Sequence, residues 1–258
     1  MHSSILHSLL FALTAYAIPS KTKRADNPPF FLLAGDSTTA TQSSGGGGWG
    51  DGFINTTLSN GAGGLNFGHN GATTVSFRSG GDWATVLSQL ADHAADYTPY
   101  VTIQFGHNDQ KEDKGISVAE YTSNLEKFAA EVQSAGGTPI LVTPLSRRNY
   151  DDDDQIVLNL ADQRAATIAA ADNAGVACID LNQASVDYLN SIGPDDAYTY
   201  NLVADDETHL NVQGSQVFGG MVAGLILEAL PALGEAGYLQ VETALETALA
   251  NGEYYWPE

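Results

Sequence analysis

Short apolar runs alternate with longer amphipathic segments along most of this 258-residue chain, and this alternation limits the fold more than any other feature. Because strands joined in sequence by helices form a parallel sheet covered on both faces, we predict an α/β fold with three layers. The apolar runs predict the strands Phe30–Ala34, Leu65–Phe67, Tyr100–Phe105, Pro139–Val142 and Val176–Ile179. The amphipathic segments predict the helices Trp83–Ala95, Val118–Ala135, Leu158–Ala174 and Val212–Leu230, the last capped by Asn211.

The first predicted strand ends in Gly35-Asp36-Ser37-Thr38, at the edge where parallel sheets gather their functional groups. A tight turn there exposes Ser37. We also expect Ser37 to begin the next helical segment, whose free backbone N–H groups and dipole favour developing negative charge. The alternative is that Ser37 only caps a helix.

The next two strand ends carry groups able to bind an oxyanion. Asn70-Gly71-Ala72 follows the second strand, and glycine there lets backbone approach a substrate closely. The third strand stops at Gly106-His107-Asn108-Asp109, where the Asn108 amide can donate to an oxyanion. The alternatives are an ordinary turn glycine and an Asx-turn made by Asn108 and Asp109.

A carboxylate and an imidazole precede the final predicted helix. Asp206 and His209 lie three residues apart, a spacing that brings the carboxylate to one ring nitrogen and leaves the other free. Such a pair holds the tautomer of a catalytic histidine and stabilises its imidazolium. Asp205 is the rival partner for His209, and a solvated surface histidine is the alternative.

Taken in the order Ser, Gly, Asn and Asp-x-x-His, these segments resemble the motif blocks of the SGNH (GDSL-type) hydrolases. Within that class the chain is similar to rhamnogalacturonan acetylesterases in the segments GDSTTA, GHNGATTVSF, QFGHNDQ, TPLSRR and DDETH. The resemblance spans about residues 29 to 230. It implies the SGNH hydrolase fold, a three-layer α/β/α sandwich with a flavodoxin-like parallel sheet of about five strands.

The resemblance also implies residue roles. Ser37 attacks the acyl carbonyl, His209 takes its proton and passes it to the leaving sugar hydroxyl, and Asp206 orients His209. The backbone N–H groups of Ser37 and Gly71, with the Asn108 side chain, form the oxyanion hole. Ser37 lacks the surrounding Gly-x-Ser-x-Gly of the common α/β-hydrolase elbow. We expect the glycine run 45–48 to form a flexible loop beside the site.

The same resemblance implies an acetylated plant cell-wall polysaccharide as substrate, namely the rhamnogalacturonan of pectin. Arg147 and Arg148 follow the fourth strand and are candidates for binding a galacturonate carboxylate, or else are solvated arginines that offset nearby acids. Trp49 and Trp83 are candidates for stacking on sugar rings, with core packing as the alternative. An acetyl xylan esterase or another short-chain ester hydrolase would keep the mechanism and change the substrate.

A rival from another class is a non-catalytic carbohydrate-binding or cation-binding protein. Asp151–Asp154 lacks the spaced ligands and central glycine of a calcium loop, which favours a solvated acidic turn. The Gly-x-Gly-x-x-Gly pattern at residues 45–50 follows a polar loop rather than a strand, which argues against dinucleotide binding. We expect no metal and no cofactor.

The first residues are typical of a targeting segment. We predict a signal peptide over residues 1–17, a short propeptide over 18–24 that ends at Lys23-Arg24, and one hydrolase domain over 25–258 with a C-terminal tail from about 231. The protein would then be secreted and extracellular, with Asn55 in its only glycosylation sequon. A buried N-terminal helix is the alternative. The aromatic end of the tail either docks on the domain or contacts sugar.

The charge balance narrows the choice of partners. Ten basic and 31 acidic residues give a net charge of −21, which repels nucleic acids and anionic membranes. No apolar run reaches the roughly 18 residues that span a bilayer, so we expect no membrane anchor. We expect a monomer. Cys178, the single cysteine, lies in an apolar run and is predicted to be a buried strand residue rather than a nucleophile.

Overall fold

The computed structural model describes residues 27–258, so the predicted signal peptide and propeptide lie outside the described residues. Its five strands are β1 Pro29–Gly35, β2 Gly63–Asn66, β3 Thr98–Gln104, β4 Thr138–Val142 and β5 Ala177–Ile179. They form one parallel sheet in the order β2-β1-β3-β4-β5. The predicted α/β fold with a flavodoxin-like sheet is confirmed, because hydrophobic runs in this order leave the chain few other ways to bury them.

Helices surround the sheet. In chain order they are α1 Gly50–Thr57, α2 Thr74–Ser79, α3 Asp82–His93, α4 Val118–Ser134, α5 Ala161–Ala174, α6 Leu181–Ala197, α7 Val212–Ala229, α8 Ala232–Glu235 and α9 Thr243–Asn251. Asn211 caps α7 as predicted, with its Oδ1 accepting from the Gly214 N–H at 2.8 Å. None of the described helices is long and apolar enough to cross a bilayer.

Two cores lie on opposite faces of the sheet, and β1 contributes to both because its side chains alternate between the faces. Phe31 and Leu33 pack toward α1, α6, α7 and α9, whereas Leu32 and Ala34 pack toward α2, α3, α4 and α5. The tail belongs to the first core. Leu245 of α9 packs there, and Trp256 lies parallel to Tyr200 at 6.2 Å, so the aromatic end docks on the domain.

The sheet has its topological switch point between β1 and β3. From β1 the chain moves to β2 at one edge and then returns to add β3 on the other side. The carboxyl ends of β1 and β3 therefore border a crevice, which is where open α/β sheets bind ligands.

One expectation about this crevice is wrong. Ser37 does not begin a helix: the N–H groups of Thr39 and Ala40 both donate to the Asp36 carbonyl at 3.1 Å, which closes a single turn. The first helix begins only at Gly50. The dipole of a following helix is therefore not available to Ser37.

Candidate active site

Ser37, His209 and Asp206 form one hydrogen-bonded chain at the carboxyl edge of the sheet. Ser37 Oγ lies 2.8 Å from His209 Nε2, and His209 Nδ1 lies 2.8 Å from Asp206 Oδ2. Ser37 is 5% exposed, so little of this side chain is open to solvent. This arrangement allows the imidazole to accept the serine proton while the carboxylate stabilises the imidazolium.

Asp206, and not its neighbour Asp205, contacts the imidazole. Asp206 Oδ1 also accepts from the backbone N–H groups of Thr208 and His209, at 3.0 and 2.9 Å, which fixes the turn that presents the ring. Burial tends to raise the pKa of Asp206. The hydrogen bonds from His209 and Thr208 outweigh it and hold that pKa below its usual value, so the carboxylate stays ionised.

A buried chain of polar groups supports the turn that carries Ser37. Asp36 Oδ1 accepts from the Thr38 N–H at 2.9 Å and from the Thr38 hydroxyl at 2.8 Å. Gln104, at the end of β3, donates to that hydroxyl and accepts from the indole N–H of Trp49. These fully buried side chains tie the ends of β1 and β3 together beneath the nucleophile.

His107 lies beside Asp36 in the same buried region. The distance from its Nδ1 to Asp36 Oδ2 is 3.7 Å, too long for a hydrogen bond. Burial lowers the pKa of His107 more than the neighbouring carboxylate raises it, which favours the neutral ring. Burial also opposes ionisation of Asp36, but the imidazole and the Thr38 hydrogen bonds leave its pKa below the usual value.

The glycine run after the nucleophile is not the flexible loop that we expected. The Gly47 N–H donates to the Ser37 carbonyl at 3.2 Å, and the Gly47 carbonyl accepts from the Leu210 N–H at 2.8 Å. A Cβ on Gly48 would lie 1.8 Å from the Thr38 carbonyl oxygen. Only glycine permits this approach, so residues 46–48 are a packed spacer between the nucleophile and the histidine segment, whereas Gly45 is exposed.

The side-chain amide of Asn108 has a fixed orientation and one N–H that is not hydrogen-bonded. Its Oδ1 accepts from Lys111 Nζ at 2.7 Å, and its Nδ2 donates to the Ala72 carbonyl at 3.0 Å. Because an ammonium group only donates, Lys111 fixes the orientation of the amide and leaves the second Nδ2–H unused. Among the described residues, the N–H groups of Ser37 and Gly71 also donate to no acceptor.

Arg147 lies beside the imidazole in an open cleft of about 650 Å³ that His209 also lines. Its Nε donates to Thr208 Oγ1 at 3.3 Å and its Nη1 to Asn159 Oδ1 at 3.2 Å. With its amide turned to satisfy both neighbours, Gln110 accepts from Nη1 at 2.9 Å. All these acceptors are neutral, so the cation keeps its charge available at the cleft.

Arg148 and the two tryptophans do not face the cleft, which corrects their assignment as substrate-binding residues. Arg148 is fully buried and donates to Asn201 and to backbone carbonyls. Trp49 is 0% and Trp83 2% exposed. Trp49 packs on Phe53 of α1, and Trp83 packs on Phe128 of α4, so neither ring face is open to a sugar.

Sequence reasoning missed three residues that shape the site: Gly47, Gln104 and Lys111. The glycine run followed by Trp49 was a signal for close backbone packing, but it fits a flexible loop equally well. Gln104 inside an apolar strand was a stronger signal, because a buried amide requires partners. Nothing in the sequence distinguished Lys111 from a solvated lysine.

The remaining candidates lie away from this crevice. Asp151–Asp154 forms an exposed turn in which Asp151 Oδ1 accepts from the N–H groups of Asp153 and Gln155. Cys178 lies half-buried in β5, where burial raises the pKa of its thiol to about 12. Within residues 27–258, no three His, Cys, Asp or Glu side chains are grouped so as to hold a metal ion.

Comparison with known proteins gives consistent results. The model of the GDSL-like lipase/acylhydrolase family matches residues 33–217, which include Ser37 and His209. Rhamnogalacturonan acetylesterase RhgT of Bacillus subtilis (strain 168) is 30% identical over 199 residues, 72% of this chain and 82% of that protein. The probable rhamnogalacturonan acetylesterase YesY of the same organism is 28% identical, over 50% of this chain and 62% of that protein.

Solved structures share the fold. YxiM of Bacillus subtilis superimposes with a TM-score of 0.67 at 25% identity, over 82% of this chain. This chain spans only 58% of the YxiM chain. The acetylxylan esterase Axe2 of Geobacillus stearothermophilus gives a TM-score of 0.56 at 17% identity, over 79% of this chain and 94% of that one.

Proposed function

Because this chain belongs to the GDSL-like lipase/acylhydrolase family and is therefore an esterase, we propose that it removes acetyl groups from rhamnogalacturonan by acyl transfer through Ser37. The observation that carries the proposal is the continuous hydrogen-bonded chain from Ser37 Oγ through the His209 ring to the Asp206 carboxylate. A non-catalytic binding protein would have no need of it.

In the proposed reaction, Ser37 Oγ attacks the acetyl carbonyl carbon while His209 Nε2 takes its proton. The carbonyl oxygen becomes an oxyanion that accepts from the N–H groups of Ser37 and Gly71 and from Asn108 Nδ2. His209 then gives its proton to the departing sugar oxygen, which leaves an acetyl group on Ser37. Water, activated by His209, releases acetate and restores the serine.

The lining of the crevice favours a small acyl group on a polar polymer. The cleft beside His209 is open, and apart from Val203 its lining is polar. It combines the cation of Arg147 with acidic side chains, namely Asp205, Asp206 and Glu207. A larger groove, of about 750 Å³, is lined by Met221 and Leu225 among others and lies between α6, α7 and α9, away from Ser37. A long acyl chain therefore has no apolar pocket in the cleft beside the nucleophile.

Arg147 supports an acidic sugar in the polymer. Its guanidinium has no carboxylate partner among the described residues and lines the same cleft as His209. A galacturonate carboxylate next to the acetylated sugar would supply the missing anion. The relative RhgT, at 30% identity, is named for the same substrate.

We also propose that the protein acts outside the cell as a monomer, after removal of residues 1–24, with a glycan on Asn55. Asn55 is exposed on α1, which suits an acceptor site. The mass and N-terminal sequence of the secreted protein test this. A mature chain that begins at Ala25 and loses mass with an endoglycosidase is the expected result, and an intact Met1 would contradict secretion.

The decisive experiment compares acetate release from acetylated rhamnogalacturonan and from acetylated xylan. Ser37→Ala should lose at least about 10³-fold in kcat on both polymers. Arg147→Met should raise KM for rhamnogalacturonan several-fold and leave KM for xylan unchanged. Serine-dependent release mainly from xylan would keep the mechanism and reject the substrate. No release from either polymer or from an aryl acetate would reject esterase chemistry at Ser37.

A further inference from the structure

Arg148 is a fully buried cation without an ion pair. The Arg and Lys ion pairs of the described residues are Arg78–Glu131, Lys114–Asp113 and Arg164–Asp180, all partly exposed. Arg148 is 0% exposed, and burial lowers its pKa to about 10. Burial of the guanidinium costs desolvation free energy, and no carboxylate in contact with it offsets this cost.

The hydrogen bonds of Arg148 converge on one short segment, Asp206–His209. Its Nη2 donates to the His209 carbonyl at 2.6 Å and to the Asp206 carbonyl at 3.3 Å. Its backbone N–H donates to the Glu207 carbonyl at 2.8 Å. Its Nε donates to Asn201 Oδ1, so the guanidinium is itself held from the other side.

The segment has further bonds that keep it folded without Arg148. The His209 carbonyl also accepts from the Leu202 N–H at 2.9 Å, and the Leu210 N–H donates to Gly47. An apolar side chain of similar length at position 148 therefore leaves the His209 carbonyl paired. Such a side chain removes the desolvation cost of the buried guanidinium, but it leaves Asn201 Oδ1 without its donor, which destabilises the folded state. These two effects oppose each other, so a gain in stability alone does not account for this residue.

We propose that Arg148 is a positioning residue: it holds Asp206 and His209 in register with Ser37 and does not contact substrate. This inference rests on the proposed function, because the register matters only if His209 acts on Ser37. The two contacts that must be kept, Ser37 Oγ to His209 Nε2 and His209 Nδ1 to Asp206 Oδ2, are both 2.8 Å long. A displacement of about 1 Å in such a contact can cost about 10²-fold in rate.

The test is Arg148→Met in the full-length protein, assayed with 4-nitrophenyl acetate and with an organophosphate that phosphorylates the active serine. We expect kcat and the rate of phosphorylation each to fall about 10²-fold, with KM within about twofold of wild type. The Tm should fall by no more than about 10 °C, as expected for one buried acceptor left without a donor, so that the variant is folded at the assay temperature. Arg148→Lys, which keeps one donor for the His209 carbonyl, should recover part of kcat.

Two further variants make the outcomes distinct. Arg164→Met removes an arginine of a surface ion pair and should leave kcat unchanged. If Arg148→Met fails to fold, Asn201→Ala replaces it as the test, since it frees the guanidinium from its side-chain anchor. A fall in kcat of about 10-fold with KM unchanged supports positioning.

Two results would overturn the inference. One is a kcat for Arg148→Met, or for Asn201→Ala where that variant stands in, within threefold of wild type. The other is a rise in KM at constant kcat, which would return Arg148 to substrate binding. In both cases an inactive Ser37→Ala variant leaves the proposed function intact. Activity that survives Ser37→Ala instead rejects the proposed function itself.

Discussion

At the scale of single residues, the proposed oxyanion donor Asn108 depends on a neighbour that holds its amide. The Lys111 ammonium group can only donate hydrogen bonds, so its contact at 2.7 Å must be with Asn108 Oδ1 and not with Nδ2. The Asn108 Nδ2 therefore faces the crevice wall. One Nδ2–H donates to the Ala72 carbonyl, and the other is free to donate to an oxygen that develops negative charge. A donor that is already oriented toward the position of the oxyanion stabilises the transition state more than the ground state.

Asn108→Ala should therefore lower kcat by about 10²–10³-fold with little change in KM, as removal of one oxyanion donor typically does. Steady-state kinetics on an aryl acetate measure this. Asn173→Ala, which removes an exposed amide bonded to Glu126, is the matched control and should behave as wild type. A kcat within threefold of wild type for Asn108→Ala would assign the amide to the turn alone.

Asp109, the next residue, is a buried carboxyl with a raised pKa. Burial raises its pKa to about 6, and the nearby Asp36 adds to the shift, against the hydrogen bonds from Thr74. A raised folded-state pKa gives stability that is present below the unfolded pKa of about 4 and is lost as pH rises through about 6. At neutral pH the ionised Asp109 therefore opposes folding.

The change in the free energy of unfolding caused by Asp109→Asn should be more favourable by on the order of 2 kcal/mol at pH 7 than at pH 4, because the amide does not ionise. The amide nitrogen would take the place of Asp109 Oδ2, which has no hydrogen-bond partner, and this adds a cost that is the same at both pH values. The amide keeps an acceptor for the Thr74 N–H and hydroxyl, which now donate to Asp109 Oδ1 at 2.9 and 2.6 Å. Urea unfolding at several pH values measures the difference. A change that is equal at pH 4 and pH 7 would show that Asp109 does not titrate in this range.

Residue type alone did not distinguish side chains that could contact a substrate from buried side chains that hold the site in place. Asp206 meets His209 as their spacing predicted, and Ser37 meets His209 as the family resemblance implied. Arg148 and Trp49 are types that also suit sugar binding, yet both are buried. Their hydrogen-bond partners are more than 50 residues away in sequence, and only the packed fold shows which polar groups they meet.

At the scale of elements, α1 and α7 pack backbone against backbone. A Cβ on Gly52 of α1 would lie 1.9 Å from the Ser215 carbonyl oxygen, and one on Gly219 of α7 would lie 2.3 Å from the Phe53 N atom. The Gly52 N–H also donates to Ser215 Oγ at 3.0 Å. This close packing holds α7 against α1. The two helices adjoin the site in sequence, since α7 begins shortly after His209 and α1 begins shortly after the glycine run.

Gly219→Ala should destabilise the protein by about 3 kcal/mol, because the methyl group forces the two helices apart. Gly224→Ala on the same helix is the control, since its Cβ meets nothing within 4 Å. Alanine there should stabilise the helix by about 0.5–1 kcal/mol. Thermal or urea unfolding of both variants measures the contrast. Equal effects of the two substitutions would contradict backbone contact between α1 and α7.

Elements with a strong apolar period were predictable, and those defined by tertiary contacts were not. The α4 and α7 helices were predicted to within one residue of their observed ends. The prediction missed α1 because it begins in a glycine run, and its stability comes from packing on α7. It also missed α6, whose helical path is interrupted at Gly193-Pro194.

At the scale of the whole molecule, two electrostatic effects of opposite sign act on an acidic polymer. The net charge of −21 repels a polyuronate at long range, out to a Debye length of about 10 Å at 0.1 M salt. In the proposed complex, Arg147 would attract one carboxylate at contact range, inside the cleft beside His209 that it lines. Salt screens the long-range repulsion strongly. It screens the contact with Arg147 less, because that contact is partly buried.

KM for acetylated rhamnogalacturonan should therefore fall about threefold between roughly 20 and 200 mM NaCl. KM for acetylated xylooligosaccharides that lack uronate should stay constant, because a neutral chain feels no net repulsion. Initial rates of acetate release at matched pH measure both. In Arg147→Met the salt effect should persist on a raised KM, since the long-range repulsion remains when the contact is lost. A KM for rhamnogalacturonan that rises with salt would mean that the local cation outweighs the charge of the whole molecule.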